Sequence, residues 1–236
     1  MPQLIFLPGL AADAVMWQDQ MAAMPAHLKA RVTDVHARYA TLQDMAGALL
    51  QEHTGDLILC GASMGGMLAL EVVHQAPQRI TALALLGTNA RPETDAMWAL
   101  REMAIGMFEQ GQAKAILQAN LPLAFHPSRS GDSALLHTYL DFVLQAGTAQ
   151  LIRQNRALMT RPDARLHLGT VRCPTLVLCG DSDRLTPPEC SREIVQLIKG
   201  AEFKLVPQCG HMLTMERPAE VNAALLAWLA TVAPVI

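Results

Sequence analysis

The sequence predicts an α/β protein: a mainly parallel sheet of about six strands flanked by helices, with an inserted all-helical lid. Three observations carry that prediction. Short unbroken apolar runs alternate with helix-spaced segments from residue 3 to residue 86 and again from residue 175 to residue 229, and strands buried on both faces of a parallel sheet need such runs. Between residues 89 and 170 the rhythm changes to helical segments with no convincing strand among them. The 236 residues suit one large domain that carries such an insertion.

Residues 3–7 are the first apolar run, and Pro8-Gly9 stops it, so a buried strand runs into a loop. Val15, Met16, Trp17, Met21 and Met24 suggest a short helix before Pro25, and residues 30–35 a second strand. Thr41 and Asp44 have capping-box spacing, and Leu42, Met45, Ala46, Leu49 and Leu50 follow at helical intervals. Residues 56–60 make the third strand. The segment after Ser63 is apolar on nearly all sides up to Val73, as expected of a helix packed centrally against a sheet, and Pro77 ends it. Residues 81–86 form the fourth strand and close at Gly87.

Within the insertion, helices are expected over about 93–110, 112–119, 132–145 and 149–159, separated by Gly111, Pro122, the 127–131 stretch, Gly147 and Pro162. A strand at 175–179, a helix at 188–198 and a strand at 202–206 resume the alternation. The last helix, 218–229, carries Val221, Leu225, Trp228 and Leu229 at core spacing. The expected division is therefore a core of residues 1–88 and 171–236 with a lid of residues 89–170.

The third strand runs into Gly61-Ala62-Ser63-Met64-Gly65-Gly66, a serine between glycines where a strand turns sharply into a helix. This is the nucleophile-elbow pattern, in which small flanking residues let backbone pass where side chains would collide. Holding a serine at positive φ costs on the order of 1–3 kcal/mol, which suggests a functional reason for the turn. The turn exposes the hydroxyl beside free N–H groups of the helix start, that of Met64 first, and these can bind the oxygen of a tetrahedral intermediate. A phosphate loop does not fit. Ser63 stands where the second glycine of G-x-G-x-x-G is needed, and no Gly-Lys-Ser/Thr follows.

A serine hydroxyl is a poor nucleophile at neutral pH, so a histidine must take its proton and a carboxylate must hold that histidine in the right tautomer. Of eight histidines, His211 is best placed, just after an apolar strand and before the final helix. His27, His36, His53, His74, His137 and His167 read as ordinary surface or satisfied residues, and His126, in the insertion, is weighed as a substrate contact and set aside. The acid should lie at a strand end before His211. Gly180-Asp181-Ser182-Asp183 offers two carboxylates, of which Asp183 is assigned to His211 and Asp181 to backbone amides in its own turn.

With these residues in view, the chain resembles the α/β-hydrolase superfamily along essentially its whole length. The resemblance rests on the Leu7-Pro8-Gly9-Leu10 loop, the elbow, the insertion, Gly180-x-x-Asp183-x-x-x-Pro187, and Gly210-His211 with its Glu216-x-Pro218 continuation. The order Ser63, Asp183, His211 is the order of that superfamily's triad. In similar enzymes the residue after the first loop's glycine gives the second oxyanion N–H, which here falls on Leu10. Many members read His-Gly in that loop where this chain reads Pro8-Gly9, so the bracing of the loop is done otherwise here. The chain begins directly at the strand before the oxyanion loop, so the two leading strands of larger members are expected to be absent.

Composition narrows the partners. Hydrophobic residues make up 51% and charged residues 17%, yet no apolar run approaches the roughly 20 residues of a membrane span. The net charge of −3 gives no hint of nucleic-acid binding. The opening residues lack a basic region before a long apolar run, which reads as a cytoplasmic protein without a signal peptide. Five cysteines without a C-x-x-C pair read as buried reduced thiols, and no zinc-like spacing occurs, so neither metal nor cofactor is expected. A monomer or homodimer is expected.

The implied reaction is acyl transfer to water on a small-molecule ester or lactone, first of all a small or medium carboxylic ester. A serine in the elbow argues against haloalkane dehalogenation, which resembling enzymes perform with an aspartate. The alternatives are an enol-lactonase or a carbon–carbon bond hydrolase of aromatic degradation acting on an anionic substrate, and a triad-bearing ligand receptor. Trp98, Met107, Phe125 and Tyr139 are the expected substrate contacts; Met97, Met103, Phe108, Phe142 and Met159 also suit an apolar cavity. Arg91, Arg101, Arg153, Arg156 and Arg161 are the candidates to anchor a substrate carboxylate.

Overall fold

Six strands, β1 (Gln3–Leu7), β2 (Arg31–Val32), β3 (Leu57–Ala62), β4 (Ile80–Leu86), β5 (Thr175–Gly180) and β6 (Glu202–Val206), form one sheet in the order β2-β1-β3-β4-β5-β6. Every neighbouring pair is parallel. This computed structural model describes residues 2–232, so Met1 and residues 233–236 of the expected core range lie outside it. The parallel sheet of about six strands read from the sequence is the sheet observed.

The apolar runs are unbroken for the expected reason. Every residue of β3 and β5 is buried, because both faces of those strands are covered. Alternate side chains divide between two layers. Phe6, Ile58, Leu86 and Leu178 face Trp17 and Trp228, while Ile5, Leu59, Leu85 and Val177 face the helices α3 (Leu42–Glu52) and α4 (Met64–Gln75). Helix α4 is buried at every position from Met64 to Val73, as its all-round apolar sequence requires.

The edges depart from expectation. The second strand shrinks from the predicted 30–35 to two residues, since Thr33 N–H gives the last ladder bond to Phe6 O at 3.0 Å and a short helix, α2 (Val35–Arg38), begins at once. The segment 14–23 is a 3-10 turn (Ala14–Trp17) followed by α1 (Gln18–Ala23). On the far side, β6 exposes Glu202 and Lys204, charges that discourage pairing with another chain.

Between β4 and β5 lie α5 (Asp95–Glu109), α6 (Ala113–Ala124), α7 (Ser133–Met159) and α8 (Arg165–Leu168), with no strand. Helix α6 runs past the predicted stop and contains Pro122, forgoing one helical bond while it buries Leu117 and Ala124. The two segments expected at 132–145 and 149–159 abut head to tail in α7, where Gly147 breaks the helix at φ 80°, ψ 161°. Phe108, Leu117, Phe125, Phe142 and Leu151 of these helices share one apolar cluster with Ala12, Met212 and Leu213, which follow strands of the sheet. After β5 come α9 (Pro188–Leu197), then, beyond β6, α10 (Leu213–Glu216) and α11 (Pro218–Val232). Among the described residues no helix is long and apolar enough to cross a membrane.

Candidate active site

Strand register brings the loops together. Leu7 pairs with Gly61, Ala62 with Leu86, Leu86 with Leu178 and Gly180 with Val206, so β1, β3, β4, β5 and β6 end on one edge. Ser63 follows β3 at φ 52°, ψ −118°, the strained conformation the elbow pattern predicts. A Cβ on Gly61 would overlap the carbonyl of Gly65, and one on Gly65 the carbonyl of Leu7, so both must be glycine. Ser63 N–H donates to Leu86 O at 2.9 Å, and Thr88 Oγ1 donates to Ser63 O at 2.7 Å. These two bonds hold the strained turn from the β4 side.

His211 lies in the loop after β6, where its N–H donates to Ala124 O at 2.9 Å. Its ring is 2.9 Å from Ser63 Oγ at Nε2 and 2.8 Å from Asp183 Oδ2 at Nδ1. An ionised Asp183 can only accept, so Nδ1 carries the proton and Nε2 is left free to accept from the serine. Asp183 Oδ1 also accepts from the N–H groups of Leu185 and Thr186, both at 2.9 Å, and Oδ2 from Thr186 Oγ1 at 2.9 Å. Burial alone would push its carboxyl up, but the His211 charge and the bonds from His211 and Thr186 outweigh it and hold the carboxyl below the usual carboxylate range.

Asp181 differs in detail from its expected role. Instead of bonding amides of its own turn, it reaches across to the loop after β6, accepting from Gln208 N–H at 2.9 Å and Cys209 N–H at 3.2 Å, and from Ser182 Oγ at 2.9 Å. Glu216, fully buried, braces the same loop: it accepts from Gly210 N–H at 2.9 Å and from His126 N–H at 2.8 Å, and burial raises its pKa. The His126 ring turns away to Ser128, 2.7 Å from its Oγ.

The loop after β1 lies against the elbow, since a Cβ on Gly9 would come 3.5 Å from that of Ser63. Among the described residues the N–H groups of Leu10 and Met64 have no hydrogen-bond acceptor. Ala11 takes positive φ, 54°, and its N–H donates to Gln154 Oε1 at 2.6 Å. Gln154 Nε2 donates in turn to His36 O at 2.9 Å, and His36 Nε2 donates to Ala12 O at 2.7 Å. The brace that Pro8 cannot supply comes from these two side chains. Neither was marked in the sequence, since Gln154 is 143 positions from Ala11.

A cavity of about 420 Å³ opens on Ser63 and His211 and is walled by the helices between β4 and β5. Met97, Phe108, Tyr139 and Phe142 line it; Trp98, Met107 and Phe125 do not. Helix α5 presents Met97, Arg101, Ala104 and Phe108 to the cavity at intervals of three and four, and Trp98 and Met107 fall beside that stripe. Phe125 packs edge-on behind Tyr139, their centroids 5.1 Å apart, and burial pushes the Tyr139 hydroxyl up to about 12. Of the other apolar candidates, Met103 is exposed and Met159 is buried away from the cavity.

The candidate arginines separate just as clearly. Arg91, Arg101 and Arg161 line the cavity. Arg153 is bonded to Ala37 O, and Arg156 is on the surface facing Glu109. Among the described residues no group of three or more His, Cys, Asp or Glu is placed to hold a metal ion.

Comparison with known proteins agrees with this geometry at the level of the fold. The family profile described as alpha/beta hydrolase fold matches residues 29–218. A pimeloyl-[acyl-carrier protein] methyl ester esterase of Nitrosomonas europaea is 24% identical over 232 residues, covering 93% of this chain and 92% of its own. A thermophilic esterase from Thermogutta terrifontis, solved with malate bound, superposes with a TM-score of 0.89 at 25% identity, covering 98% of this chain and 90% of its own. The enol-lactonase from Burkholderia xenovorans LB400 superposes with a TM-score of 0.87 at 23% identity over 98% and 92%.

Proposed function

We propose that this chain, which belongs to the alpha/beta hydrolase fold family, hydrolyses a small-molecule carboxylic ester by acyl transfer through Ser63, His211 and Asp183. The observation that carries the reading is the hydrogen-bond chain from Ser63 Oγ, on the wall of a cavity, through His211, 2.9 Å and then 2.8 Å, to the buried Asp183 carboxylate behind it. The esterases of Nitrosomonas europaea and Thermogutta terrifontis, similar over nine-tenths or more of this chain, support ester chemistry.

In this reading Ser63 Oγ attacks the ester carbonyl while His211 Nε2 takes its proton, and Asp183 holds the imidazolium that forms. The carbonyl oxygen becomes an oxyanion between the N–H groups of Leu10 and Met64, each worth about 3–4 kcal/mol of barrier. Collapse expels the alcohol, which takes the proton from His211 and leaves an acyl group on Ser63. Water, deprotonated by His211, then attacks that acyl group, and as the acyl–Oγ bond breaks the proton passes from His211 to Ser63 Oγ, releasing the acid and restoring the serine. Residues 89–170 act as the lid that shapes the acyl and alcohol pockets.

The test is turnover of p-nitrophenyl esters of increasing chain length by the protein and by Ser63→Ala. The protein is expected to turn over in the usual range of about 1–10³ s⁻¹, and Ser63→Ala to lose about 10⁴-fold or more of kcat. A stoichiometric acyl adduct on Ser63 should be visible by intact mass when a slow ester is mixed with enzyme. Equal turnover by both proteins would overturn the reading.

A further inference from the structure

We propose that Arg101 anchors a carboxylate on the substrate, so that the esters this site prefers carry a free carboxylate remote from the bond that is cut; the inference rests on the ester-hydrolase reading.

The cavity that holds Ser63 and His211 also holds Glu93, Arg101, Asn155 and Arg161. Glu93 is buried between two guanidinium groups: its side chain is 2% exposed, Arg161 Nη1 lies 2.6 Å from Oε2, and Arg101 Nε donates to the same oxygen. One carboxylate cannot neutralise two guanidinium groups, so the cluster keeps one positive charge inside a largely apolar cavity. A buried charge without a counter-ion is costly, and a purely structural pair would need one arginine alone.

The donors show which arginine is free. Arg161, with its side chain 5% exposed, gives Nε to Arg91 O at 2.8 Å, Nη1 to Leu158 O at 3.0 Å and to Glu93, and Nη2 to Glu93 at 3.3 Å. Its role is to hold the base of the insertion. Arg101 gives Nε to Glu93 and Nη1 to Asn155 Oδ1 at 2.9 Å, and among the described residues its Nη2 has no partner. Asn155 is itself fixed by donating to Leu151 O at 2.8 Å, so its oxygen must face Arg101. Two fixed acceptors thus hold Nε and Nη1 of Arg101, at the wall of the cavity, and leave Nη2 without a partner. Arg91, the third arginine at the wall, is already paired with Glu193 at 2.8 Å.

An unpartnered guanidinium nitrogen on a cluster with one surplus positive charge suits a carboxylate, which accepts strong charge-assisted bonds. A single net charge also selects a monoanion, because a phosphate dianion would leave one charge unbalanced. The chemical class is therefore the half-ester of a dicarboxylic acid, or an ester of comparable length with its carboxylate at the far end.

The experiment compares kcat/KM for monomethyl adipate and for methyl hexanoate, chain-matched esters that differ in the carboxylate. The ratio is expected to favour the half-ester in the wild type and to fall about 10- to 100-fold in Arg101→Met. Arg101→Lys, which keeps the charge and loses the fork, should fall between. Arg156→Met, on an exposed arginine outside the cavity, should leave the ratio within about twofold. In parallel, monomethyl adipate binding is measured by calorimetry on Ser63→Ala and on Ser63→Ala/Arg101→Met, with about tenfold or more weaker binding expected in the double variant. A ratio near one in the wild type, unmoved in Arg101→Met, would overturn the anchor while Ser63-dependent hydrolysis stands. Arg101-dependent binding of monomethyl adipate without Ser63-dependent turnover of any ester would keep the anchor and overturn the hydrolase reading instead.

Discussion

The N–H of Ala11 donates to the side-chain oxygen of Gln154 at 2.6 Å, tying the loop after β1 to helix α7. Ala11 is held at φ 54°, a conformation alanine rarely adopts, and the neighbouring Leu10 N–H is the proposed oxyanion donor. Removing one such donor typically costs about 10²–10³ in kcat. Gln154→Leu should displace the loop without deleting the donor, so kcat is expected to fall about 10- to 100-fold with a smaller change in KM. Gln154→Glu keeps the acceptor for Ala11 but turns an oxygen toward His36 O, which now accepts from Nε2 at 2.9 Å, and should fall between. Steady-state kinetics on one short ester check both, and a Gln154→Leu enzyme with wild-type kcat would refute the brace.

The two carboxylates after β5 should separate cleanly on substitution. Asp183→Asn puts an amide where His211 Nδ1–H now donates at 2.8 Å, so the ring is driven toward the wrong tautomer and kcat should fall by about 10⁴. Asp181→Asn keeps one oxygen and turns an NH₂ group toward one of the N–H groups of Gln208 and Cys209, with no contact to His211, so its loss in kcat should be far smaller and appear mainly as lower thermal stability. Similar kcat losses for both would mean that the acid has been assigned to the wrong residue.

Glu216 is predicted to matter as an acceptor of two bonds rather than as a charge. Its two oxygens serve the N–H groups of Gly210, buried with it, and of the half-buried His126. Glu216→Gln supplies one oxygen and one NH₂ group, so one N–H loses its acceptor and meets a donor, at a cost of about 1–3 kcal/mol. Urea unfolding should show that loss. Because Gly210 precedes His211, kcat should drop alongside it, and an unchanged midpoint would show that the amide fits both partners.

Much of this arrangement is legible in the sequence because it is local. Gly61-x-Ser63-x-Gly65 contains its own steric requirement, and the unbroken runs of β3 and β5 declare strands buried on both faces. Asp183 and His211 were placed by their position after strands, which the sheet register converts into proximity. What stayed hidden depends on contacts between distant segments. Gln154 and Glu93 carry no local pattern and act on residues 143 and 68 positions away, and Glu216, named only as part of a motif, reaches His126 across 90 positions. Trp98 and Met107 fall off the cavity face of α5 because size and apolarity say nothing about helical phase; Met97, Arg101, Ala104 and Phe108 share the phase that faces inward.

The acid limb of stability should be set in part by Asp183. Its folded-state pKa lies below the unfolded value of about 3.9, so its contribution is fully present above that value and is lost as pH falls through the folded one. Glu216 acts in the opposite sense. Burial raises its folded pKa, so in that window stability falls as pH rises, and acidification from neutral pH removes a penalty before the Asp183 contribution begins to fade. Asp183→Asn cannot titrate, and its urea midpoint should therefore fall less than that of the wild type between about pH 6 and about pH 3. Equal falls in the two proteins would mean that Asp183 is no better stabilised as an anion in the fold than in the unfolded chain, which the four bonds to its oxygens argue against.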